Sequence, residues 1–211
     1  MNKNEQFVIT INRELGSGGR TVGRILAEKL GVPYYDKAVI KALEEKFNLS
    51  VEEIEKVKGL SHTWWADFKR FWIGTDYSNL YVAEKMAEIS RKPDSYSMFK
   101  AEEEILSGIA KTESCVVAGR SSFYAFRNHP NHLNIFIQAS MDFRVERVSR
   151  KQNITPEEAL KTIEKIDMMR ENYVKEYTGS SRYDTRNYQL VISADGKTED
   201  EIVEQILYYI G

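Results

Sequence analysis

The chain of 211 residues is 42% hydrophobic, 11% aromatic and 29% charged, the composition of a soluble globular protein rather than a disordered one. Its 30 basic and 32 acidic side chains give a formal charge of −2, so we expect no nucleic-acid partner, since such proteins usually carry a basic excess. No apolar run approaches the roughly 18 residues of a membrane span and the N-terminus does not resemble a signal peptide, so we expect no membrane association and a cytoplasmic location.

The N-terminal part of the chain predicts a strand, a glycine-rich turn, a helix and a second short strand. Residues 7–11 are apolar and rich in β-branched side chains, as in a buried strand. After the turn at 16–19, apolar residues recur at helical spacing until Gly31 ends the pattern. Residues 32–35 form the second candidate strand.

Residues 37–111 predict mostly helices. Spacing and capping signals place these helices at 38–47, from 50 onward, at 80–90 and at 99–110. The segment 64–72 holds all three tryptophans, which we interpret as a packed helix face rather than a ligand platform. Large aromatic side chains are also favoured at interfaces, so a homodimer contact is the alternative interpretation of this segment.

The second half of the chain alternates predicted strands with predicted helices. The strands are 115–119, 133–138 and 189–193, and the helices are 123–126, 141–151, 155 to about 176, and 198–210. Cys115 is the single cysteine, which excludes an internal disulfide, and we expect it in the core. Short apolar strands alternating with helices indicate an α/β fold with a parallel sheet covered on both faces, which binds ligands at the carboxyl ends of its strands.

The glycine-rich turn between the first strand and the first helix predicts a phosphate site; a flexible turn without a ligand is the alternative. Glycines let backbone N–H groups converge, and a helix N-terminus adds unpaired donors and the positive end of its dipole. The Thr21 hydroxyl is the candidate ligand for Mg²⁺. The candidate phosphate-binding residues are Gly16, Ser17, Gly18, Gly19, Arg20 and Thr21.

The turn departs from the standard phosphate loop, in which a glycine and four further residues precede Gly-Lys-Ser/Thr. Arg13 stands at the position of the first glycine, and Gly19 stands at the position of the lysine. Arg20 follows directly, although an arginine one position later differs from lysine in reach and in the geometry of its donors. We therefore expect Arg20 to replace the missing lysine in part.

Arginines in the second half of the chain are candidates for contacts with anionic substrates. Arg120 follows a strand directly and either points into the ligand crevice or forms a surface salt bridge. Arg144 and Arg147 are one helical turn apart, and Asp167 and Arg170 have the same spacing. Arginines that close over substrate suit phosphoryl transfer, which needs charge neutralisation and exclusion of water. A solvated pair of salt-bridged helices fits the same spacing.

Several short runs occur along the chain in an order that is similar to a known family. They begin with Ile-Thr-Ile-Asn-Arg-Glu-Leu-Gly-Ser-Gly-Gly-Arg, Leu-Gly-Val-Pro-Tyr-Tyr-Asp and Val-Ala-Gly-Arg. They continue with 135–140 and the arginines behind it, then Asp167-Met-Met-Arg170, Tyr177-Thr178-Gly179 and Asn187-Tyr188. Together these runs resemble the nucleoside monophosphate kinases, and among them the cytidylate kinase-like family, over nearly the whole chain.

The resemblance implies one domain over 1–211 with the three-layer α/β/α fold of the P-loop NTPases and a five-stranded parallel sheet. A helical acceptor-binding insertion would occupy 37–100 and a helical lid 140–186. The reaction would transfer the γ-phosphoryl group of ATP to CMP or dCMP with Mg²⁺. The implied site residues are the loop from Gly16 to Thr21 for the ATP phosphates, Asp36, Arg120, Asp167 and Arg170 for the acceptor, and Arg20, Arg144, Arg147 and Arg170 for catalysis.

The missing lysine and the aromatic insertion keep two other functions open. A nucleotide-binding regulatory module with weak catalysis would bind ATP or CMP and form no product. A kinase for a different small-molecule acceptor would use the segment 64–72 to reshape its acceptor pocket.

Overall fold

The computed structural model describes residues 1–36, 95–119 and 121–211, in which strands alternate with helices as the sequence predicts. The strands are β1 (Val8–Arg13), β2 (Tyr34–Tyr35), β3 (Cys115–Ala118), β4 (His132–Gln138) and β5 (Leu190–Ser193). The helices are α1 (Gly19–Leu30), α2 (Ser95–Thr112), α3 (Ser122–Ala125), α4 (Met141–Gln152), α5 (Pro156–Thr178) and α6 (Glu199–Ile210), with a 3-10 helix at Thr185–Asn187.

The five strands form one parallel sheet in the order β2-β3-β1-β4-β5. The central strand is β1, in which Val8 lies opposite Cys115 of β3 and His132 of β4. The carboxyl ends of these three strands therefore meet at one edge, where open α/β sheets bind their ligands. The parallel five-stranded sheet confirms the predicted fold class.

Helices cover both faces of the sheet, because successive strand residues point to opposite sides and both sides are apolar. On one face Ile9 packs with Val22 and Leu26 of α1, and α6 joins the same layer. On the other face Val8 packs with Leu106 of α2. These layers give the three-layer α/β/α arrangement, and the buried Cys115 lies in its core as expected.

Helices α4 and α5 pack against each other and against the turn that follows β1. Thr155 begins α5 with a capping box that it shares with Glu158, as the sequence predicts. Val148 of α4 and Ile163 of α5 are buried together with Leu15 of the turn. The helix pair thereby supports the turn that leads from β1 into α1.

Two strands differ from the predicted ones by two residues at one end, and the other boundaries agree to within one residue. The first strand continues past Ile11 to Arg13, because its pairing with β4 extends until Arg13 lies opposite Ile137. The second strand contains just Tyr34 and Tyr35, the two residues that pair with β3. The longer β1 carries a charged side chain to the ligand-binding edge of the sheet.

Most of the predicted insertion lies outside the described residues. This holds for the helices predicted at 38–47, from 50 onward and at 80–90, and for the tryptophan segment 64–72. The helix predicted at 99–110 is confirmed as part of α2. In the described ranges, no helix combines the length and the apolar character that crossing a bilayer requires.

A polar network lies within the sheet between β1 and β4. The Thr10 hydroxyl donates to Asn134 Oδ1 at 2.6 Å, and Nε2 of His132 lies 2.8 Å from Thr10 Oγ1. Burial, with a smaller contribution from His129, lowers the pKa of His132 to about 4. The imidazole of His132 is therefore neutral at pH 7.

We expect His132 to make the fold sensitive to acid. A histidine in the unfolded chain has a pKa near 6.5, so below about pH 6.5 the unfolded state binds a proton that the folded state excludes. The free energy of unfolding should fall by up to about 3 kcal/mol as the pH drops from about 6.5 to about 4. Urea unfolding of the wild type and of His132→Gln across this range measures the effect. The same pH dependence in both proteins would contradict the expectation.

Candidate functional site

The turn between β1 and α1 has the backbone of a phosphate-binding loop. Gly16 has a φ of +88°, and Gly18, which caps α1, has a φ of +84°. Ser17 is buried, and its hydroxyl donates to the carbonyl of Glu14 at 3.0 Å. The Thr21 N–H donates to the carbonyl of Gly18 at 2.9 Å, which closes the first turn of the helix. The N-terminus of α1 therefore faces the end of the turn, in the position that suits an anion.

Asp167 of α5 holds this turn in place. The residue is 7% exposed, and its carboxylate accepts the N–H of Leu15 at 3.0 Å. Three guanidinium groups pair with the same carboxylate, those of Arg144 at 2.6 Å, Arg170 at 3.2 Å and Arg182 at 3.4 Å. One buried carboxylate thus joins the turn to α4, to α5 and to the segment that follows α5.

The same arginines also bind backbone carbonyls at the end of β1. Nη1 of Arg144 donates to the carbonyl of Leu15 at 3.4 Å. Nη1 of Arg170 donates to the carbonyl of Arg13 at 3.4 Å, and Nη2 of Arg182 donates to that carbonyl as well. The conformation of the turn is therefore fixed by side chains from the distant second half of the chain.

A cleft of about 440 Å³, open to solvent, lies over the turn. Five cationic side chains and one carboxylate line it, so its local potential is positive although the whole chain has a formal charge of −2. A polyphosphate has the charge and shape that such a surface attracts. The lining residues are Arg13, Glu14, Leu15, Gly16, Gly18, Gly19, Arg20, Thr21, Arg147, Lys151 and Arg170.

Arg20 and Asp36, which the resemblance assigns to the donor and acceptor sides, form an ion pair beside the cleft. Their side chains are 15% and 14% exposed. The Tyr34 hydroxyl donates to the carbonyl of Arg20 at 3.3 Å. Burial lowers the pKa of the Arg20 guanidinium, and the carboxylate of Asp36 opposes that shift. The cation predicted to replace the lysine is thus tied to the end of β2.

Helix α4 contributes two cations to another side of the cleft. Arg147 forms an ion pair with Glu199 at the start of α6 and lies close to the turn, since a Cβ on Gly18 would be 3.4 Å from its Nη2. Lys151 lies one turn further along α4, and partial burial together with Arg147 lowers its pKa. Arg147 was predicted to be a site residue and Lys151 was not, although the spacing of four residues puts both on one face of the helix.

The structure brings most of the predicted phosphate-site residues to this cleft. Arg147 and Arg170 line it together with the glycines of the turn, Arg20 and Thr21. Arg144 and Asp167 are placed differently, because both are buried beneath the turn and bonded to each other. Arg120 lies outside the described residues.

Two more residues belong to the site although no role was predicted for them from the sequence. Arg13 lines the cleft. Its presence at a position where the standard phosphate loop has glycine was the sequence feature that could have identified it as a site residue. Arg182 is buried against Asp167, but no spacing in the sequence connects it with the turn.

Thr21 fits the expected Mg²⁺ ion. Its position in the cleft offers a hydroxyl oxygen, and oxygen is the ligand atom that Mg²⁺ prefers. Within the part of the chain that the structure describes, no three His, Cys, Asp or Glu side chains group as a metal site. An Mg²⁺ ion bound with a nucleotide takes most of its ligands from phosphates and water, so one loop hydroxyl suits it.

Comparison with known proteins identifies relatives along nearly the whole chain. Residues 8–195 match the model of the cytidylate kinase-like family. A cytidylate kinase from Sulfolobus acidocaldarius is 23% identical over 200 residues, which cover 94% of this chain and 91% of that protein. A shikimate kinase from Sulfurihydrogenibium sp. is 27% identical over 199 residues, which cover 92% of this chain and 91% of that protein.

Solved structures share the fold. An uncharacterized protein from Eubacterium ventriosum superimposes with a TM-score of 0.68 at 24% identity and covers 98% of both chains. A shikimate kinase from Bacteroides thetaiotaomicron superimposes with a TM-score of 0.52 at 15% identity, covering 97% of this chain and 98% of that one. Both likenesses agree with the predicted three-layer α/β/α fold.

Proposed function

The chain belongs to the cytidylate kinase-like family, and from that premise we propose that it transfers the γ-phosphoryl group of ATP to CMP or dCMP. The observation that carries the proposal is the cleft over the glycine-rich turn, lined by five cations and one carboxylate. Relatives named cytidylate kinase, at about a quarter identity, support kinase chemistry and suggest the acceptor.

The turn and its neighbours suit the triphosphate of ATP. The first N–H groups of α1 and the positive end of its dipole attract phosphate oxygens. Arg147 and Lys151 add positive charge from α4, and Arg170 adds it from α5. Thr21 would hold Mg²⁺ in part, and the ion would supply positive charge that offsets the charge of the phosphates.

Transfer to a nucleoside monophosphate requires no general base, because the accepting phosphate is already an anion. The rate then depends on holding two anions in line and on stabilising the charge of the transition state. We assign Asp36, at the end of β2, and Arg120, which follows β3 in the sequence, to the acceptor. Both follow strands of the parallel sheet that end at the same edge as β1, since β3 pairs with β1 and β2 pairs with β3.

We assign residues 140–186, which contain α4 and α5, the role of a lid. These helices carry Arg147, Lys151 and Arg170, three of the five cations of the cleft. Movement of the exposed parts of this segment over bound nucleotides, with Arg144 and Asp167 keeping the two helices against the turn, would exclude water, which competes with the acceptor for the phosphoryl group.

An ADP-release assay with Mg·ATP tests the proposal directly. CMP, dCMP, UMP, AMP and GMP are offered separately beside a blank without acceptor, and we expect release that depends on CMP or dCMP. Calorimetric titration with ATP accompanies the assay. Binding of ATP without product from any acceptor would contradict the proposal and favour a regulatory module, the alternative that the missing lysine keeps open.

Two arginines of α4 provide a matched pair of variants for this assay. Arg147 lines the cleft, whereas Arg150 forms an exposed ion pair with Glu146 at 3.6 Å. A charge-assisted contact contributes roughly 1.5–3 kcal/mol, so Arg147→Ala should lower kcat/KM by at least about tenfold. Arg150→Ala should change it by less than about twofold. Equal effects of the two variants would contradict the placement of Arg147 at the phosphates.

A kinase with a different small-molecule acceptor is the second candidate. The observation that favours it is the relative named shikimate kinase, which is 27% identical over 92% of this chain. Adding shikimate to the acceptor panel separates the candidates. Turnover with shikimate and none with CMP would favour the second candidate, and strict dependence on CMP or dCMP would exclude it.

A further inference from the structure

The side chain of Arg13 occupies space that a side chain at position 19 would need. A Cβ on Gly19 would lie 2.7 Å from Cβ of Arg13 and 3.0 Å from its Cγ, closer than carbon atoms pack. In a standard phosphate loop these two positions carry a glycine and a lysine, and here they carry an arginine and a glycine. The lysine and Arg13 therefore exclude each other sterically, so the presence of one explains the absence of the other.

The guanidinium of Arg13 extends from β1 towards the end of β3. Gly119 directly follows β3 and donates its N–H to the carbonyl of Ile11 at 3.1 Å. A Cβ on Gly119 would collide with Nη1 of Arg13. Gly19 and Gly119 both lack a side chain where the Arg13 side chain passes, so the space that it occupies is free at both positions. Its charged end lies between the phosphate loop and the strand end from which Arg120 follows in the sequence.

Arg13 also differs from the other arginines of the cleft in its ionic partners. Arg20, Arg147 and Arg170 each form a salt bridge with a carboxylate. Among residues 1–36, 95–119 and 121–211, no carboxylate forms a salt bridge with Arg13, although its side chain lines the cleft. Burial lowers the pKa of the Arg13 guanidinium, and the nearby Tyr34 and Asp36 oppose that shift without forming a salt bridge with it. A bound anion in the cleft would further offset the cost of holding this charge.

We infer that Arg13 is the catalytic residue that takes the place of the phosphate-loop lysine, with its guanidinium on the γ-phosphoryl group during transfer. The inference rests on the proposed function. In the step, an oxygen of the acceptor phosphate bonds to the γ-phosphorus while the bond from that phosphorus to the β–γ bridging oxygen breaks. ADP leaves with the electron pair, and Arg13 keeps its protons and balances the charge.

The first test compares Arg13→Ala with Arg24→Ala, a control that removes an exposed arginine of α1. The measurement is steady-state kcat with Mg·ATP and CMP, after thermal unfolding has shown that both variants are folded. We expect Arg13→Ala to lower kcat by about 100-fold or more, the usual effect of removing one preorganised donor at the transition state. A fall of less than about threefold would overturn the inference.

The second test measures binding, so it applies whether or not the protein turns over. Calorimetry gives the affinities of the wild type and of Arg13→Ala for ADP and for the non-hydrolysable ATP analogue AMP-PNP. A cation on the γ-phosphoryl group contacts AMP-PNP and not ADP. We expect Arg13→Ala to weaken AMP-PNP about tenfold more than ADP. Equal weakening of both ligands would show a structural role and overturn the inference.

A double variant tests the exchange of the two positions. Gly19→Lys alone places a side chain against Arg13 and should lower activity, as should Arg13→Gly alone. Arg13→Gly combined with Gly19→Lys restores the usual glycine and lysine, and should be at least about tenfold more active than either single variant, because the two positions interact directly. A double variant no more active than Arg13→Gly would contradict the exchange.

These outcomes distinguish the inference from the function on which it rests. If the wild type shows no acceptor-dependent ADP release with any acceptor of the panel, the proposed function is contradicted. The ratio of AMP-PNP to ADP affinities then decides the role of Arg13. If the wild type is active and the Arg13→Ala variant keeps the same kcat, the proposed function stands and only the inference about Arg13 is overturned.

Discussion

Asp167→Ala is expected to lower the free energy of unfolding by about 3–5 kcal/mol, the effect of removing one partner from a buried ion pair. Asp167 is 7% exposed, and its carboxylate pairs with three arginines, of which Arg144 and Arg182 are themselves buried. Without it, three guanidinium groups repel one another in a region that water reaches poorly. The N–H of Leu15 also loses its acceptor.

Urea unfolding measures this effect, with Glu146→Ala as the control. Glu146 forms an exposed ion pair with Arg150 at 3.6 Å, so its loss should cost less than about 1 kcal/mol. Asp167→Asn separates charge from hydrogen bonding, because an amide oxygen still accepts the N–H of Leu15 but carries no charge. We expect an intermediate loss for it. A loss below about 1 kcal/mol in Asp167→Ala would contradict the role of this carboxylate as the anchor of the turn.

The fold and the phosphate loop were predictable because both depend on local patterns. Apolar runs such as 133–138 indicate buried parallel strands. Glycines between a strand and an amphipathic helix indicate an anion site, and this pattern does not depend on contacts with the rest of the chain. The capping box of Thr155 and Glu158 likewise needs four residues and no tertiary contact. These features therefore agree between the sequence analysis and the structure.

The roles of single arginines were not predictable, because they depend on how two helices approach the turn. Residues three apart on a helix differ by about 60° around its axis. That small rotation buries Arg144 against Asp167 and leaves Arg147 in the cleft. Spacing predicts that the two share a face, and the position of α5 decides which of them reaches a ligand.

The role of Arg13, which departs from the glycine of the standard motif, depends on long-range contacts. The sequence marks Arg13 and Gly19 as unusual residues but does not relate them. Their relation depends on β1 extending to Arg13 and on β3 bringing Gly119 beside its guanidinium. Sheet pairing between segments far apart in the chain therefore defines this part of the site.

Gly16→Ala should destabilise the fold more than Gly31→Ala, although both glycines have positive φ, +88° and +65°. A side chain in this backbone region costs about 1–2 kcal/mol. Gly31 ends α1, and a Cβ there would meet nothing within 4 Å, so backbone strain is the whole cost. At Gly16 a Cβ would lie 2.9 Å from Cβ of Arg144 and 3.0 Å from its Cα. We expect losses of about 1 kcal/mol for Gly31→Ala and about 3 kcal/mol for Gly16→Ala in urea unfolding.

The two variants should differ further in nucleotide binding. Gly31 lies at the end of α1 away from the turn, so the affinity for ATP in calorimetric titration should stay within about twofold. At Gly16 either the turn or α4 must move, and the N–H groups around a phosphate tolerate little displacement, so ATP should bind at least about tenfold more weakly. Equal ATP affinities would mean that α4 does not position the turn. The expected difference would identify the contact between Gly16 and Arg144 as the point where α4 sets the shape of the phosphate loop.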